Sequence, residues 1–314
     1  GTRRSAGVAG WLLAAPALLD GKLALYAEVD AMRHQFVTGA GRDGQTFGRA
    51  VYGSAQLQLT ELTVLVEWVD YQNFMLAPSY DTAHPARVYS AVPTLELDGF
   101  LDVRDLFTRR GGSVKVDYAF ASSPWSVSGN ALVLGLPAGD APTADPWEGV
   151  LVTHGWLGLH KLSEGDFSVD VIGGYRRETQ LHTDAGAFYR EALHGKVDFG
   201  VAFGEHSFEL SLDQRWDRRV ERMDLISRGG VSLTYSLGIQ LAITGTLRWD
   251  NYNAANLRSM HEFYPSVEVK WTFSAGNFVS AFFGATPGGV LCSGGVCRDV
   301  PLFEGGMLQL VLRL

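Results

Sequence analysis

The chain has 314 residues, enough for one large domain or two ordinary ones, and its net charge of −8 gives no basic face for nucleic acid. Mean hydropathy is +0.03, and no stretch reaches the roughly 18 consecutive apolar residues of a membrane helix. These values exclude a helical membrane protein and leave a membrane barrel open, because half of each barrel strand faces a polar lumen and the average cancels.

The first apolar run, Val8 to Leu19, is short and contains Pro16. After Arg3 and Arg4 it has the order of a signal-peptide core. The chain starts on Gly1, however, and no small-residue cleavage site precedes the next strand. Residues 1–21 therefore read as an extra strand, a lumen plug or a remnant of a longer chain.

From residue 22 onward the dominant signal is alternation with a period of two. It is weak through 22–33, 47–59 and 62–70. In 113–120, Val114, Val116, Tyr118 and Phe120 oppose Ser113, Lys115 and Asp117. The stretches 127–136 and 150–161 alternate poorly and are strands by spacing. Weak copies return in 167–176 and 196–203. In 207–216, Phe208, Leu210, Leu212 and Trp216 oppose Ser207, Glu209, Ser211, Asp213 and Arg215. A weak copy at 231–235 follows. In 238–250, Ile239, Leu241, Ile243, Leu247 and Trp249 face one way, and in 266–273 Val267, Val269, Trp271 and Phe273 do the same. The stretches 278–283 and 306–314 complete the set.

A soluble sandwich also alternates, so the connections decide. Short turns near 60, 122–124, 163–166, 204–206, 236–238 and 274–277 alternate with longer polar links near 35–44, 73–112, 137–147, 179–186, 251–259 and 285–301. The one exception is a shorter link at 218–222, where a long one is due. Tight periplasmic turns and long outer loops follow this parity in outer-membrane barrels. Sandwich connections do not. The fold class is an all-β, antiparallel transmembrane barrel over residues 22–314 with about 14 strands; 16 strands, or membership of a larger barrel, are the alternatives. Aromatics at strand ends suit the interfacial girdles: Trp68 and Tyr71, Trp216, Trp249 and Tyr252, Phe263 and Tyr264, Trp271 and Phe273.

Alternation assigns a set of charges to the lumen: Glu28, Asp30, Glu67, Lys115, Asp117, Asp170, Asp198, Glu209, Asp213, Arg215, Arg248, Asp250, Glu268, Lys270 and Arg313. Charges there must be solvated by channel water or paired across strands. Their acidic excess suggests a mild cation bias. The link 73–112 is long, carries Pro78, Pro85 and Pro93 and the acids Glu96, Asp98, Asp102 and Asp105, and reads as an ordered outer loop that constricts the lumen, meets a partner or lies solvated on the surface. Cys292 and Cys297, separated by Ser-Gly-Gly-Val, can reach disulfide geometry, which implies an oxidising compartment; two free thiols are the alternative. His154 and His160 share a strand face and would need ligands from neighbouring strands to hold a metal. There is no Gly-x-Ser-x-Gly elbow, no H-E-x-x-H pair and no P-loop. The chain thus reads as non-enzymatic, with no cofactor and no metal. An outer-membrane hydrolase would need a nucleophile, a His and an orienting group gathered from adjacent strands.

The C-terminal stretch Gly306-Met-Leu-Gln-Leu-Val-Leu-Arg-Leu314 resembles the terminal strand by which bacterial outer-membrane barrels are recognised for assembly, with Gly306, Leu308, Leu310, Leu312 and Leu314 as its pattern. Leu314 departs from the usual terminal aromatic. Asp70-Tyr-Gln-Asn-Phe74 with Tyr89-Ser-Ala-Val-Pro-Thr-Leu95, and Phe282-Phe-Gly284 with Cys292-Ser-Gly-Gly-Val-Cys-Arg298, resemble a family of uncharacterised outer-membrane barrels from the Bacteroidota. That resemblance implies a barrel, a loop with a Cys pair and no catalytic activity. It places the chain in the outer membrane of a Gram-negative bacterium, with membrane lipid, the barrel-assembly machinery and other envelope proteins as partners. The function expected is a structural or partner-binding component of an envelope assembly, with or without transport; a passive diffusion channel is the alternative.

Overall fold

A computed structural model describes residues 3–37, 43–72, 109–136, 149–161, 167–180, 188–219, 222–251, 262–287, 289–293, 296–300 and 303–312. In chain order the strands are β1 (Arg3–Leu18), β2 (Leu23–Val37), β3 (Asp43–Gln58), β4 (Leu62–Gln72), β5 (Arg109–Ala119), β6 (Trp125–Leu136), β7 (Val150–Lys161), β8 (Phe167–Gln180) and β9 (Phe188–Phe203). They continue as β10 (His206–Arg219), β11 (Arg222–Leu237), β12 (Leu241–Asp250), β13 (Phe263–Ser274), β14 (Asn277–Thr286), β15 (Gly289–Ser293), β16 (Val296–Val300) and β17 (Phe303–Val311).

One 15-stranded sheet runs in sequence order from β1 to β14 and then to β17, with every neighbour antiparallel, and β15–β16 form a separate hairpin. Apart from the two-residue link between β10 and β11, the short connections fall at one end. Several of these turn through left-handed residues, among them Gly204 at φ 60°, Gly238 at φ 52° and Gly276 at φ 82°, as tight hairpins demand. The longer connections fall at the other end.

Several expected boundaries move. Residues 109–112 belong to β5, so the long link after β4 is shorter than 73–112, and residues 73–108 lie outside the described residues. Ile239 sits in the turn before β12 and is 90 % exposed, not on the apolar face. The expected loop 285–301 contains the end of β14 and the β15–β16 hairpin. Residues 3–18 form a strand that pairs with β2, and its last irregularity, between Ala15 and Leu18, brackets Pro16. A proline cannot donate to a ladder, so it suits the sheet edge that β1 occupies. Among the described residues no pairing joins β1 to β17. Both strands run from the long-link end towards the short-turn end, as the ends of a 15-stranded antiparallel sheet must, so a direct pairing of β1 with β17 would be parallel.

Cross-strand register fixes the two faces. Val66 and Trp68, Val114 and Val116, Val197 and Phe199, Leu210 and Leu212, Val267 and Val269, and Leu308 and Leu310 fall on one face and are exposed. Such a continuous exposed apolar belt fits hydrocarbon and not water. Trp68, Trp216, Trp249 and Phe263 border it at the long-link end, and Trp271 and Phe273 at the short-turn end. Tyr71 and Tyr264 do not join the girdle. They lie on the opposite face at 1 % and 0 % exposure; Tyr252 lies outside the described residues. Two residues beyond Trp68 the apolar belt gives way to charge, where Asp70 Oδ2 accepts from Arg110 at 3.0 Å and from Arg49 at 3.5 Å.

Close strand packing makes one glycine indispensable. A Cβ at Gly111 would collide with the Val133 carbonyl oxygen and come within 2.8 Å of Leu134 Cα. Gly111→Ala is expected to push β6 away from β5 and to cost about 1–3 kcal/mol, read as a lower midpoint in urea unfolding of the purified barrel.

Candidate functional site

The face opposite the apolar belt is the lumen wall of the barrel. Register places Glu28, Asp30, Glu67, Lys115, Asp117, Asp170, Asp198, Glu209, Asp213, Arg215, Arg248, Asp250, Glu268 and Lys270 on it. Arg313 lies outside the described residues. Gly306, Leu308 and Leu310 occupy the lipid-facing side of β17, Leu312 follows the strand, and Leu314 lies outside the described residues.

The lumen wall has two zones. Towards the short-turn end the charges are partly exposed and paired locally. Lys115 Nζ lies 3.2 Å from Asp117, Lys196 Nζ 2.6 Å from Asp198, and Arg248 Nη2 3.7 Å from Asp213. Exposed pairs of this kind contribute about 0–1 kcal/mol each.

Towards the long-link end the wall is withdrawn from solvent. Ala50, Tyr52, Val69, Tyr71, Leu132, Leu134 and Val152 form one buried apolar cluster on the lumen side, with Tyr26 and Val150 packed against it. Val69 and Val152 are 0 % exposed. The Arg109 guanidinium lies 4.8 Å from the centre of the Tyr71 ring. Beside this cluster runs a buried chain of charges. Arg176 Nε donates to Glu178 Oε1 at 2.9 Å, and Arg190 Nη1 reaches the same oxygen at 3.4 Å. Arg190 also grips Asp217 with both prongs, Nε to Oδ1 at 3.0 Å and Nη2 to Oδ2 at 2.8 Å. Arg215 Nη2 donates to the same Oδ2 at 3.0 Å. Arg228 Nε continues the line to Asp250 Oδ1 at 3.1 Å. A bidentate guanidinium is the donor geometry that a buried carboxylate needs.

His154 and His160 share the lumen face but part company. His154 Nε2 lies 2.8 Å from His194 Nε2, in the buried zone. His160 turns instead to Ser128 Oγ at 2.6 Å and Asp170 Oδ2 at 2.9 Å. Among the described residues no group of three or more His, Cys, Asp or Glu could hold a metal ion. In the β15–β16 hairpin Cys292 stands directly opposite Cys297 in register; their side chains lie outside what is described.

Sequence reading missed Arg109, Arg176, Glu178, Arg190, Lys196, Asp217 and Arg228 on this face. Five of the seven are basic, so the acidic excess inferred from sequence largely disappears, and with it the cation bias. Arg176 closes the stretch 167–176 already read as a strand, and Glu178 follows by extending that alternation one more pair along β8.

A continuous antiparallel wall, apolar outside, polar inside, with turn length alternating from end to end, defines an antiparallel transmembrane β-barrel of the outer-membrane type. A family of unknown function, DUF6029, matches residues 233–314. The copper transporter OprC superposes with a TM-score of 0.51 at 11 % identity over 90 % of this chain and 51 % of that chain, so the chain spans about half the length of that relative. An anion-selective porin from Comamonas acidovorans gives a TM-score of 0.40 at 10 % identity, over 98 % of both chains. No curated protein matches the sequence.

Proposed function

We propose that the barrel resides in the outer membrane of a Gram-negative bacterium as a structural or partner-binding component of an envelope assembly, not as an open pore. The observation that carries this reading is the dry band across the outer half of the lumen wall. A Leu or Val projecting from a barrel wall into channel water keeps much of its surface, whereas Leu132 is 2 % and Leu134 1 % exposed. Charges in the same band are buried and paired with one another. Planar-bilayer recording tests it. Long closed records are expected; a steady, large conductance overturns the reading.

A diffusion channel is the second reading, favoured by the partly solvated charges of the short-turn zone. It gains if the same recordings conduct.

We also propose that Cys292 and Cys297 are bonded. Directly opposed residues of an antiparallel pair have Cα atoms about 4.5–5.5 Å apart, within disulfide range. Thiol alkylation of the denatured barrel is expected to add no label without reductant and two with it. Labelling without reductant would show free thiols.

A further inference from the structure

Ser128, His160 and Asp170 stand on the lumen face of three adjacent strands, β6, β7 and β8. Ser128 Oγ lies 2.6 Å from His160 Nε2, and His160 Nδ1 lies 2.9 Å from Asp170 Oδ2. An ionised carboxylate can only accept, so Nδ1 carries a proton. In the neutral ring Nε2 is then the acceptor, and it faces the Ser128 hydroxyl. Hydroxyl, imidazole and carboxylate thus stand in the order, and the ring in the tautomer, that a serine nucleophile needs.

The arrangement is built by the local backbone. Asp170 opposes His160 directly, but Ser128 opposes Gly158, one pair further along the wall. The His160 ring must therefore lean across position 158. A Cβ there would lie 2.7 Å from both Ser128 Oγ and His160 Nε2. Glycine leaves the space that the hydrogen bond uses. Ser128 is 7 % exposed, and the side chains of His160 and Asp170 are 24 % and 43 % exposed, so the nucleophile is recessed and its base borders lumen water.

We infer that Ser128 is the nucleophile of an acyl-ester hydrolase site in the lumen, with His160 as general base and Asp170 as the residue that positions it. Ser128 Oγ attacks the ester carbonyl carbon while His160 Nε2 takes the hydroxyl proton, and the carbonyl electron pair moves onto oxygen. Collapse of the adduct breaks the bond to the alcohol oxygen, which leaves with the proton from His160. Water then attacks the acyl-serine with the same base, releases the carboxylic acid and restores the hydroxyl. Lys115, held at Asp117, whose Cα opposes Ser128, is a cation one strand away from the developing oxyanion. All three groups face the lumen and lie near the short turns, so the substrate class is a small water-soluble ester that enters from that mouth, not a bilayer phospholipid. The site is independent of whether the barrel conducts.

The test uses the purified, folded barrel with 4-nitrophenyl acetate and a serine-directed fluorophosphonate, and peptide mass locates the label. The expected results are label on Ser128 and ester turnover above buffer. Ser128→Ala should remove both, and His160→Gln should slow labelling about 10²-fold or more. Asp170→Asn should slow labelling as well, with partial rescue by Asp170→Glu, a pattern that loss of a merely structural hydrogen bond would not produce. Heat-modifiable gel migration reports that each variant is folded. Label absent from Ser128, or turnover unchanged in folded Ser128→Ala, overturns the assignment.

Discussion

Replacing Asp217 by Ala is expected to destabilise the barrel by about 3–5 kcal/mol, among the largest losses available to a single substitution in this chain. The Asp217 side chain is 2 % exposed and accepts from Arg190 and Arg215. Its removal takes a shared carboxylate from two guanidiniums in a band from which water is withdrawn, while Arg190 keeps its 3.4 Å contact to Glu178. The loss comes mostly from leaving those buried charges under-compensated. The pair itself has already paid for desolvation. Asp217→Leu combined with Arg190→Met should therefore recover part of the stability, because apolar replacements of similar volume relieve the burial of that pair, while Arg215 still loses its contact to Asp217. Urea unfolding of the purified barrel, followed by Trp fluorescence, measures both. A cost below about 1 kcal/mol for Asp217→Ala would place the network among solvated pairs. It would also remove the main support for a closed outer half, so the experiment bears on function as well as stability.

The same band explains what sequence could and could not reveal. Alternation was clear in β10, β12 and β13, where polar side chains such as Glu209, Thr244 and Glu268 oppose apolar ones. It was poor in β6 and β7 because Leu132, Leu134, Val152 and Trp156 point into the lumen, which makes both faces apolar. Period-two contrast depends on a wet lumen, and here the lumen face is dry. For a related reason the strands were read too short. Glu178, Arg190 and Asp217 lie at the long-link ends of β8, β9 and β10, beyond the stretches that alternation marks. The turn parity is legible everywhere but at the short link between β10 and β11, because Gly204, Gly238 and Gly276 mark hairpins through local backbone chemistry.

The Ser128 site was illegible for a different reason. Ser128 and His160 are 32 residues apart, and His160 and Asp170 are 10 apart. A nucleophile elbow marks the serine by a local motif at a turn. In a barrel wall they are brought together by register alone, and register follows from turn lengths and from which face is apolar. Sequence could place all three residues on lumen-facing positions only after the poorly alternating strands β6 and β7 had been assigned their faces.

The face assignment itself has a sharp consequence. In β10 the lipid-facing aromatics Phe208 and Trp216 are eight residues apart, about 27 Å along the strand. At a tilt of about 40° this spans roughly 20 Å of height, close to the apolar band of an outer-membrane barrel. Leu212 lies midway, on the lipid face, and is 41 % exposed. Its neighbour Asp213 points the other way, with its side chain 45 % exposed and only a 3.7 Å contact to Arg248. Leu212→Arg should therefore cost about 2–4 kcal/mol, the toll for a cation at the bilayer midplane. Asp213→Asn should cost no more than about 1 kcal/mol, because it removes one partly solvated pair. Reversible unfolding from lipid vesicles in urea would give both values. Because adjacent strand residues point to opposite faces, a one-residue error in register exchanges the two outcomes. Equal costs would mean that β10 does not separate lipid from lumen, and the barrel wall described above would fail at its best-alternating strand.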